Sequence, residues 1–400
     1  MLKRLHLLLA LFILTVNAAM AQITTSGISG KITSDGENVI GATVTATHQP
    51  SGTVYRAVTN IDGRYTIQGM RPGGPYKVDI SYIGYKDKVI KNLNLSLGET
   101  ENISCSLQED AHQLQEVVVS GKAGLAASRT GAATSMTAEQ INNMPSITHG
   151  IADVARLNPQ LTVTNSGNMS FAGVNNRYNN FMIDGAANND VFGLASSGNN
   201  GGQAGAQPVS METIEQIQVS VAPFDVRQSG FTGGAINAIT KSGTNQFHGS
   251  AYYYGYNQDL IGTKYPYLDG TGYAPKYQKQ TQYNMGVTLG GPIIKNKLFF
   301  FANYERTNKE YPNLYGVDSG NSKVNTEQAK DILTMLQKIA EKQGVNFNDY
   351  YSNQDIYTKS DKAGLKLDWN INEFNKFAIR WSLVKVSSTP GKTSNINFFE

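Results

Sequence analysis

From about residue 246 onward, apolar and polar positions alternate with a period of two. Ala363, Leu365, Leu367 and Trp369 alternate with Lys362, Gly364, Lys366 and Asp368, and Phe377, Ile379, Trp381 and Leu383 with Lys376, Ala378, Arg380 and Ser382. Tyr283, Met285, Val287 and Leu289 follow the same rule, and Leu298, Phe300, Ala302 and Tyr304 follow it less cleanly. Successive side chains of a strand leave opposite faces, so these runs predict strands with one apolar and one polar face. A soluble sandwich gives the same alternation, and the connections separate the two readings. The first two expected strands, 246–257 and 281–291, are joined by roughly 23 residues, the second and third by Pro292–Asn296, the third and fourth by roughly 50, and the fourth and fifth by Ile371–Phe374. Soluble domains have mostly short connections, whereas membrane barrels alternate short periplasmic turns with long external loops. The pattern thus predicts about five antiparallel strands with a lipid face and a polar lumen face. Tyr252, Tyr253, Tyr254, Tyr256, Trp369 and Trp381 are candidates for the interfacial girdles.

Upstream the periodicity is shorter and more broken. Strand-like runs at 27–33, 39–47, 53–59, 64–67, 76–82 and 102–107 are separated by turn signals such as Ser34-Asp35-Gly36 and Asp62-Gly63. Six or seven short strands at this spacing predict a small β-sandwich. Cys105 alternates with Ile103 and Leu107 and is expected as a buried structural thiol; as the only cysteine it excludes an intrachain disulfide. The apolar run Glu116-Val117-Val118-Val119 follows, beside a Gly/Ala/Ser/Thr stretch reaching Thr134. On pattern alone two readings stand: a last strand of the sandwich, or a strand that pairs with the sheet edge of another protein.

Residues 135–245 read as mixed α/β. Thr137 caps a short helix ending before Met144-Pro145, and a second is expected over Thr148–Leu157, since a residue before proline avoids the α region. Phe181–Gly185 reads as a strand entering a tight turn, 193–207 as a polar loop, Met211–Val221 as a strand, and Gly233–Gly243 as a small-residue turn entering a strand. Inside the long connection of the last third, Glu327–Lys342 is expected as an amphipathic helix with Thr326 as its cap, Ile332, Met335, Leu336, Ile339 and Ala340 on one stripe, and Gly344 at its end.

Composition narrows the compartment. Only 16% of the 400 residues are charged, with 40 Gly and 21 Tyr, and the net charge of +3 gives no reason to expect nucleic acid as a partner. Lys3 and Arg4, the apolar run Leu5–Val16 and Ala19-Met20-Ala21 predict a signal peptide cleaved after Ala21; the apolar run is far shorter than the ~20 residues a spanning helix needs. No later run approaches that length. Five scattered histidines have no metal-ligand spacing, no nucleophile or nucleotide motif is present, and Asn188-Asn189-Asp190 lacks a full calcium loop. An enzyme, a metal site and a cofactor are therefore not expected.

Three groups of segments carry family resemblances. Thr59–Ile67 followed by Pro72–Tyr76 resembles the carboxypeptidase-regulatory-like domain, a transthyretin-type sandwich. Met169–Gly185, Ile214–Val219 and Gly233–Gly243 resemble, in wording, order and spacing, the plug domain of TonB-dependent outer-membrane receptors. Val221–Arg227 and Gly290–Phe301 resemble the Oar-like branch. The chain departs from many plugs at Phe171-Ala172-Gly173, where an Arg-Gly pair is common, and at Ala222-Pro223, where Gly-Pro is usual. The implied organisation is a mainly β chain: signal peptide 1–21, sandwich 22–110, TonB box and linker 111–134, plug 135–245, and barrel strands 246–400.

The resemblance implies that TonB pairs with Glu116, Val117, Val118 and Val119, and that Asp184, Gly185, Gly233 and Gly234 are plug-motif residues. Tyr178, Asn179, Asn180, Asn188, Asn189 and Asp190 are candidate ligand contacts at the plug apex. The expected partners are TonB, outer-membrane lipid and a small or oligomeric ligand, and the expected location is the Gram-negative outer membrane. Uptake driven from the inner membrane is the leading function; a surface-interaction or secretion-linked protein is the other. Plugged transporters close with 22 strands, and an open sheet in lipid leaves unpaired backbone groups. Five strands are therefore expected to belong to a longer chain.

Overall fold

The structure, a computed structural model, describes residues 24–109, 117–120, 132–144, 146, 150–163, 169–190, 195, 198–221, 231–260, 279–312, 326–344 and 356–389. The expected signal peptide, Glu116 and most of the 111–134 linker lie outside the described residues.

Two sheets sandwich the first apolar core. One joins β1 (Ser26–Ser34), β2 (Glu37–Asn38), β5 (Arg64–Met70), β8 (Thr100–Asn102) and β9 (Cys105–Ser106); the other runs in the order β10 (Val117–Ser120), β7 (Lys88–Leu95), β6 (Gly73–Ser81), β3 (Thr43–His48), β4 (Thr53–Val58). Alternation buries one side of each strand, so Ile28, Ile32, Val44, Ala46, Val78 and Ile80 meet in the core with Tyr76 fully buried among them. Two expectations change here. Cys105 is free and only half-buried, packing against the rim of this core. The run 39–47 begins as a strand only at Thr43, because Val39 and Ala42 are held by Thr59 instead: its Oγ1 donates to Val39 O and accepts from Ala42 N.

Buried His48 sits 4.9 Å from the Tyr76 ring, with Nδ1 2.6 Å from Ser51 Oγ. Burial, helped by the Arg71 charge, pushes its pKa down to about 3. The folded value lies below the unfolded one, so the unfolded chain binds the proton first. Stability is full above about pH 6.5 and falls by up to about 1.4 kcal/mol per pH unit below it. Urea melts at pH 7.5 and 5 are expected to show this loss in the sandwich, and His48→Asn is expected to flatten it.

The second core belongs to an α/β unit. Its sheet runs β11 (Ala132–Thr137), β16 (Ile214–Val221), β17 (Gly234–Thr240), β14 (Asn180–Ile183), β15 (Ala186–Ala187), beside the small pair β12 (Leu161–Val163) and β13 (Met169–Phe171). Helix α1 (Ala138–Asn143) carries the expected cap as a full box: Thr137 Oγ1 accepts from Gln140 N, and Gln140 Oε1 accepts from Thr137 N. Helix α2 spans only Ile151–Ala155, with Gly150 before it. Met136, Ile141, Ile151, Val154, Phe171, Ile183, Ile217 and Ile236 fill the interior.

The last sheet is an antiparallel meander of β18 (His248–Asn257), β19 (Thr281–Ile294), β20 (Leu298–Tyr311), β21 (Ile356–Asn370) and β22 (Lys376–Ser388). Its strands are longer than the clean alternation suggested. Tyr253, Met285, Val287, Leu289, Leu365, Trp369, Phe377, Ile379, Trp381 and Leu383 are all exposed on one face, as a lipid-facing band requires. Phe299, Phe301, Glu305, Lys362, Lys366 and Asp368 are buried on the other face, against the α/β unit. Helix α3 (Thr326–Lys342) lies in the long β20–β21 connection, and Thr326 falls inside it rather than before it.

The two short turns lie at one end of this wall, the end that faces the periplasm in outer-membrane barrels. The sandwich sits there: Asn370 Nδ2 donates to Thr53 Oγ1 (2.9 Å) and Asn245 N to Pro50 O (2.8 Å).

Candidate functional site

The functional geometry begins with the turn between β14 and β15. A two-residue hairpin with a type I′ turn needs positive φ at both central positions, which Asp-Gly accepts readily; Asp184 has φ 48° and Gly185 φ 81°. That turn holds the Asp184 carboxylate against β17 and the barrel wall. Thr240 N donates to Oδ1 (2.9 Å) and Thr240 Oγ1 to Oδ2 (2.6 Å). From the wall, Lys366 Nζ lies 3.3 Å from Oδ1 and Arg380 Nε 3.4 Å from Oδ2. Lys366 also donates to Thr240 O at 3.0 Å. One carboxylate of the α/β unit is thus held by two wall cations, largely out of water, where the pairing is least screened.

A second fastening lies nearer the middle of the wall. Glu305 on β20 accepts from its cross-strand partner Lys362 (2.6 Å), from Tyr252 OH on β18 (2.7 Å) and from Ser210 Oγ of the α/β unit (2.6 Å). A carboxylate only 5% exposed is tolerable because its oxygens are all partnered. Tyr254 OH donates to Glu212 Oε1 nearby (2.9 Å).

The motif glycines allow close approach. A Cβ on Gly234 would lie 2.3 Å from the ring of fully buried Phe171, and one on Gly233 2.3 Å from Asn179 Oδ1. Phe171, where the sequence departs from many plugs, therefore packs directly onto the β17 backbone.

The candidate ligand residues divide by their bonding. Asn179 Oδ1 accepts from Gly234 N and its Nδ2 donates to Met169 O. Asn189 accepts from Phe181 N and donates to Asn180 Oδ1. Asp190 Oδ2 accepts from Ala195 N, and Asn188 N donates to Phe181 O. These five residues brace the β14–β15 region. Tyr178 alone of the six presents a large exposed side chain. It stands at the end opposite the sandwich, as does the 3₁₀ turn Gly202–Ala204, whose neighbour Gly205 approaches Thr358 near the outer end of β21.

Val117–Ser120 is paired in parallel with β7, Val118 opposite Val89 and Val119 opposite Ile90. It is the outermost strand of the sandwich's second sheet. Of the two readings left open by pattern, the structure gives the first: the segment is a strand of the sandwich sheet, and its other edge has no partner among the described residues.

Sequence reasoning did not single out Ser210, Thr240, Glu305, Lys362, Lys366 or Arg380. The wall residues among them were visible as polar members of alternating runs, but their plug partners lie as far as 182 positions away.

Comparison with known proteins fits this layout. Residues 27–108 match the Carboxypeptidase regulatory-like domain, residues 126–236 the TonB-dependent Receptor Plug Domain, and residues 239–318 an Outer membrane beta barrel domain. The TonB-dependent transporter Oar of Myxococcus xanthus is 29% identical over 273 residues, covering 65% of this chain and 24% of that protein. The probable TonB-dependent siderophore receptor PirA of Acinetobacter baumannii is 25% identical over 188 residues, 43% of this chain and 22% of that protein. The chain thus spans about a quarter of the length of these curated relatives. The crystal structure of PirA from A. baumannii superposes with a TM-score of 0.42 at 19% identity, over 65% of this chain and 32% of that one. The chain thus carries, in order, residues that match a Carboxypeptidase regulatory-like domain, a TonB-dependent Receptor Plug Domain and an Outer membrane beta barrel domain, and it is similar in sequence to TonB-dependent transporters.

Proposed function

We propose that the protein, exported by its N-terminal signal, imports a ligand across the outer membrane and is energised through TonB. The observation that carries this reading is a strand at Val117–Ser120, at the edge of its sheet among the described residues, that precedes a plug fastened to the wall by a few polar clusters. Ligand is taken at the outer end, where Tyr178 and the turn 202–204 lie, and where Asn179, Asn180, Asn188, Asn189 and Asp190 stiffen the surface beneath. TonB pairs with Glu116–Val119, and force on that segment loosens the plug so that ligand passes along the wall. Strand pairing suits this task, since main-chain bonds supply grip without demanding a side-chain pocket.

The test is energy dependence. Cells presenting the full-length protein are incubated with ferric siderophores, oligosaccharides and peptides, with and without a protonophore. Accumulation that collapses with the protonophore while surface binding persists is the expected result. Binding with no energised accumulation of any bound compound overturns the reading and leaves a surface-interaction protein.

A further inference from the structure

We infer that the N-terminal sandwich is a second permeability barrier, seated in series with the plug at the periplasmic mouth of the barrel. The inference rests on the plug-in-barrel architecture and is independent of which ligand passes or of TonB.

The seat is built from all three bodies. On the plug, Gln216 and Gln218 of β16 are 1% and 6% exposed. Both turn their amides away from their own sheet: Gln216 Oε1 accepts from Leu97 N (2.8 Å), Gln216 Nε2 donates to Leu95 O (3.0 Å) and Gln218 Nε2 to Leu97 O (2.9 Å). Two buried amides are thereby devoted to the sandwich backbone at the end of β7 and just beyond it. A buried amide is tolerated only when bonded, so the plug strand is built with the sandwich in place. On the wall, Arg71 reaches Asp368 (3.4 Å), and Lys376 Nζ lies 3.4 Å from the centre of the Tyr55 ring. At the turns, Gly52 is so close to Asn296 that an added Cβ would stand 3.1 Å from Asn296 Cγ.

The seat lies directly beneath the plug's fastening. Between plug, wall and sandwich a pocket of about 370 Å³ remains. Asp184 and Lys366 bound it where the plug is held to the wall, and Tyr55 and Arg71 bound it from the sandwich. A solute moving along the β21–β22 wall meets the Asp184–Lys366–Arg380 cluster first and the sandwich second. Barriers in series leak only when both are open, since the tighter one limits flow. Release of the sandwich is therefore a separate step from release of the plug.

The test measures leak in a Gram-negative host lacking TonB, with vancomycin as the probe and the full-length receptor in the outer membrane. Asp184→Asn loosens the plug, and Gln216→Leu with Arg71→Ala unseats the sandwich. Heat-modifiability of each variant verifies that its barrel has formed. Each change alone is expected to alter the inhibitory concentration by about two-fold or less, and the combination to lower it by about ten-fold, the non-additivity of coupled barriers. In the combined background, Gly52→Cys with Asn296→Cys reseats the sandwich under oxidising conditions, despite the strain of cysteines at φ 64° and φ 62°, and restores resistance until a reductant is added. Unseating alone leaking as much as the combination overturns the inference. So does a combination no leakier than Asp184→Asn, or a crosslink that forms without reducing the leak. Failure of the import reading leaves this assay unaffected, because no ligand or TonB takes part in it.

Discussion

Replacing Asp184 by alanine in the full-length receptor is expected to weaken the hold of the plug on the β21–β22 wall by about 3–5 kcal/mol, the usual cost of leaving buried charges without their partner. The side chains of Lys366, Asp184 and Arg380 are 11%, 17% and 21% exposed, so water replaces the lost carboxylate poorly. Two hydrogen bonds from Thr240 disappear as well. Asp184→Asn keeps an oxygen to accept from Thr240 N and is expected to lose less. Amide exchange of β14 and β17 in the membrane-embedded protein is the measurement. The alanine variant should exchange there markedly faster, with the barrel strands unchanged; equal protection in the two proteins would show that the cluster does not hold the plug.

Deleting Glu116–Val119 is expected to abolish binding of the isolated TonB periplasmic domain to the full-length receptor, and Val118→Pro to weaken it about ten-fold or more. Proline has no N–H and cannot serve a ladder interior, while a side-chain change such as Val118→Thr leaves the backbone donors and acceptors intact and is expected to matter little. Titration calorimetry distinguishes the three. If the proline variant binds like the parent, TonB does not recognise this segment by strand pairing. One edge of Val117–Ser120 is already occupied by β7, so the proposed pairing with TonB would use the edge left without a partner among the described residues or would displace β7.

Much of the wall was legible because lipid demands it. A two-residue period with long and short connections leaves few alternatives, and the apolar members, from Met285 to Leu383, are the exposed ones. Strand β7 was not legible: Asn92 takes φ 60°, the ladder to β6 shifts nearby, and the alternation of Val89 is lost before Leu93 resumes it. Strand β11 escaped for another reason. Ala-Ala-Thr-Ser-Met-Thr carries little apolar signal, and its strand form comes from β16 beside it. The motif at Asp184-Gly185 could be read as a turn from its residues, but the cations that face it come from strands far along the chain, and pattern carries no information on that pairing. The two amides of Gln216 and Gln218 sit in a strand whose apolar neighbours drew the reading toward the plug core alone.

In the proposed mechanism, strand β11 also sets how the plug yields under load. Its first residue, Ala132, pairs with Val221 at the end of β16 far from the sandwich, and Thr137 pairs with Gln216 at the near end. Traction toward the periplasm on the segment preceding Ala132 folds that end back along its own strand. The ladder then peels one rung at a time, each worth only about 0.5–1.5 kcal/mol, instead of shearing all its rungs together. A modest steady force suffices, and the strand can zip back when the force stops.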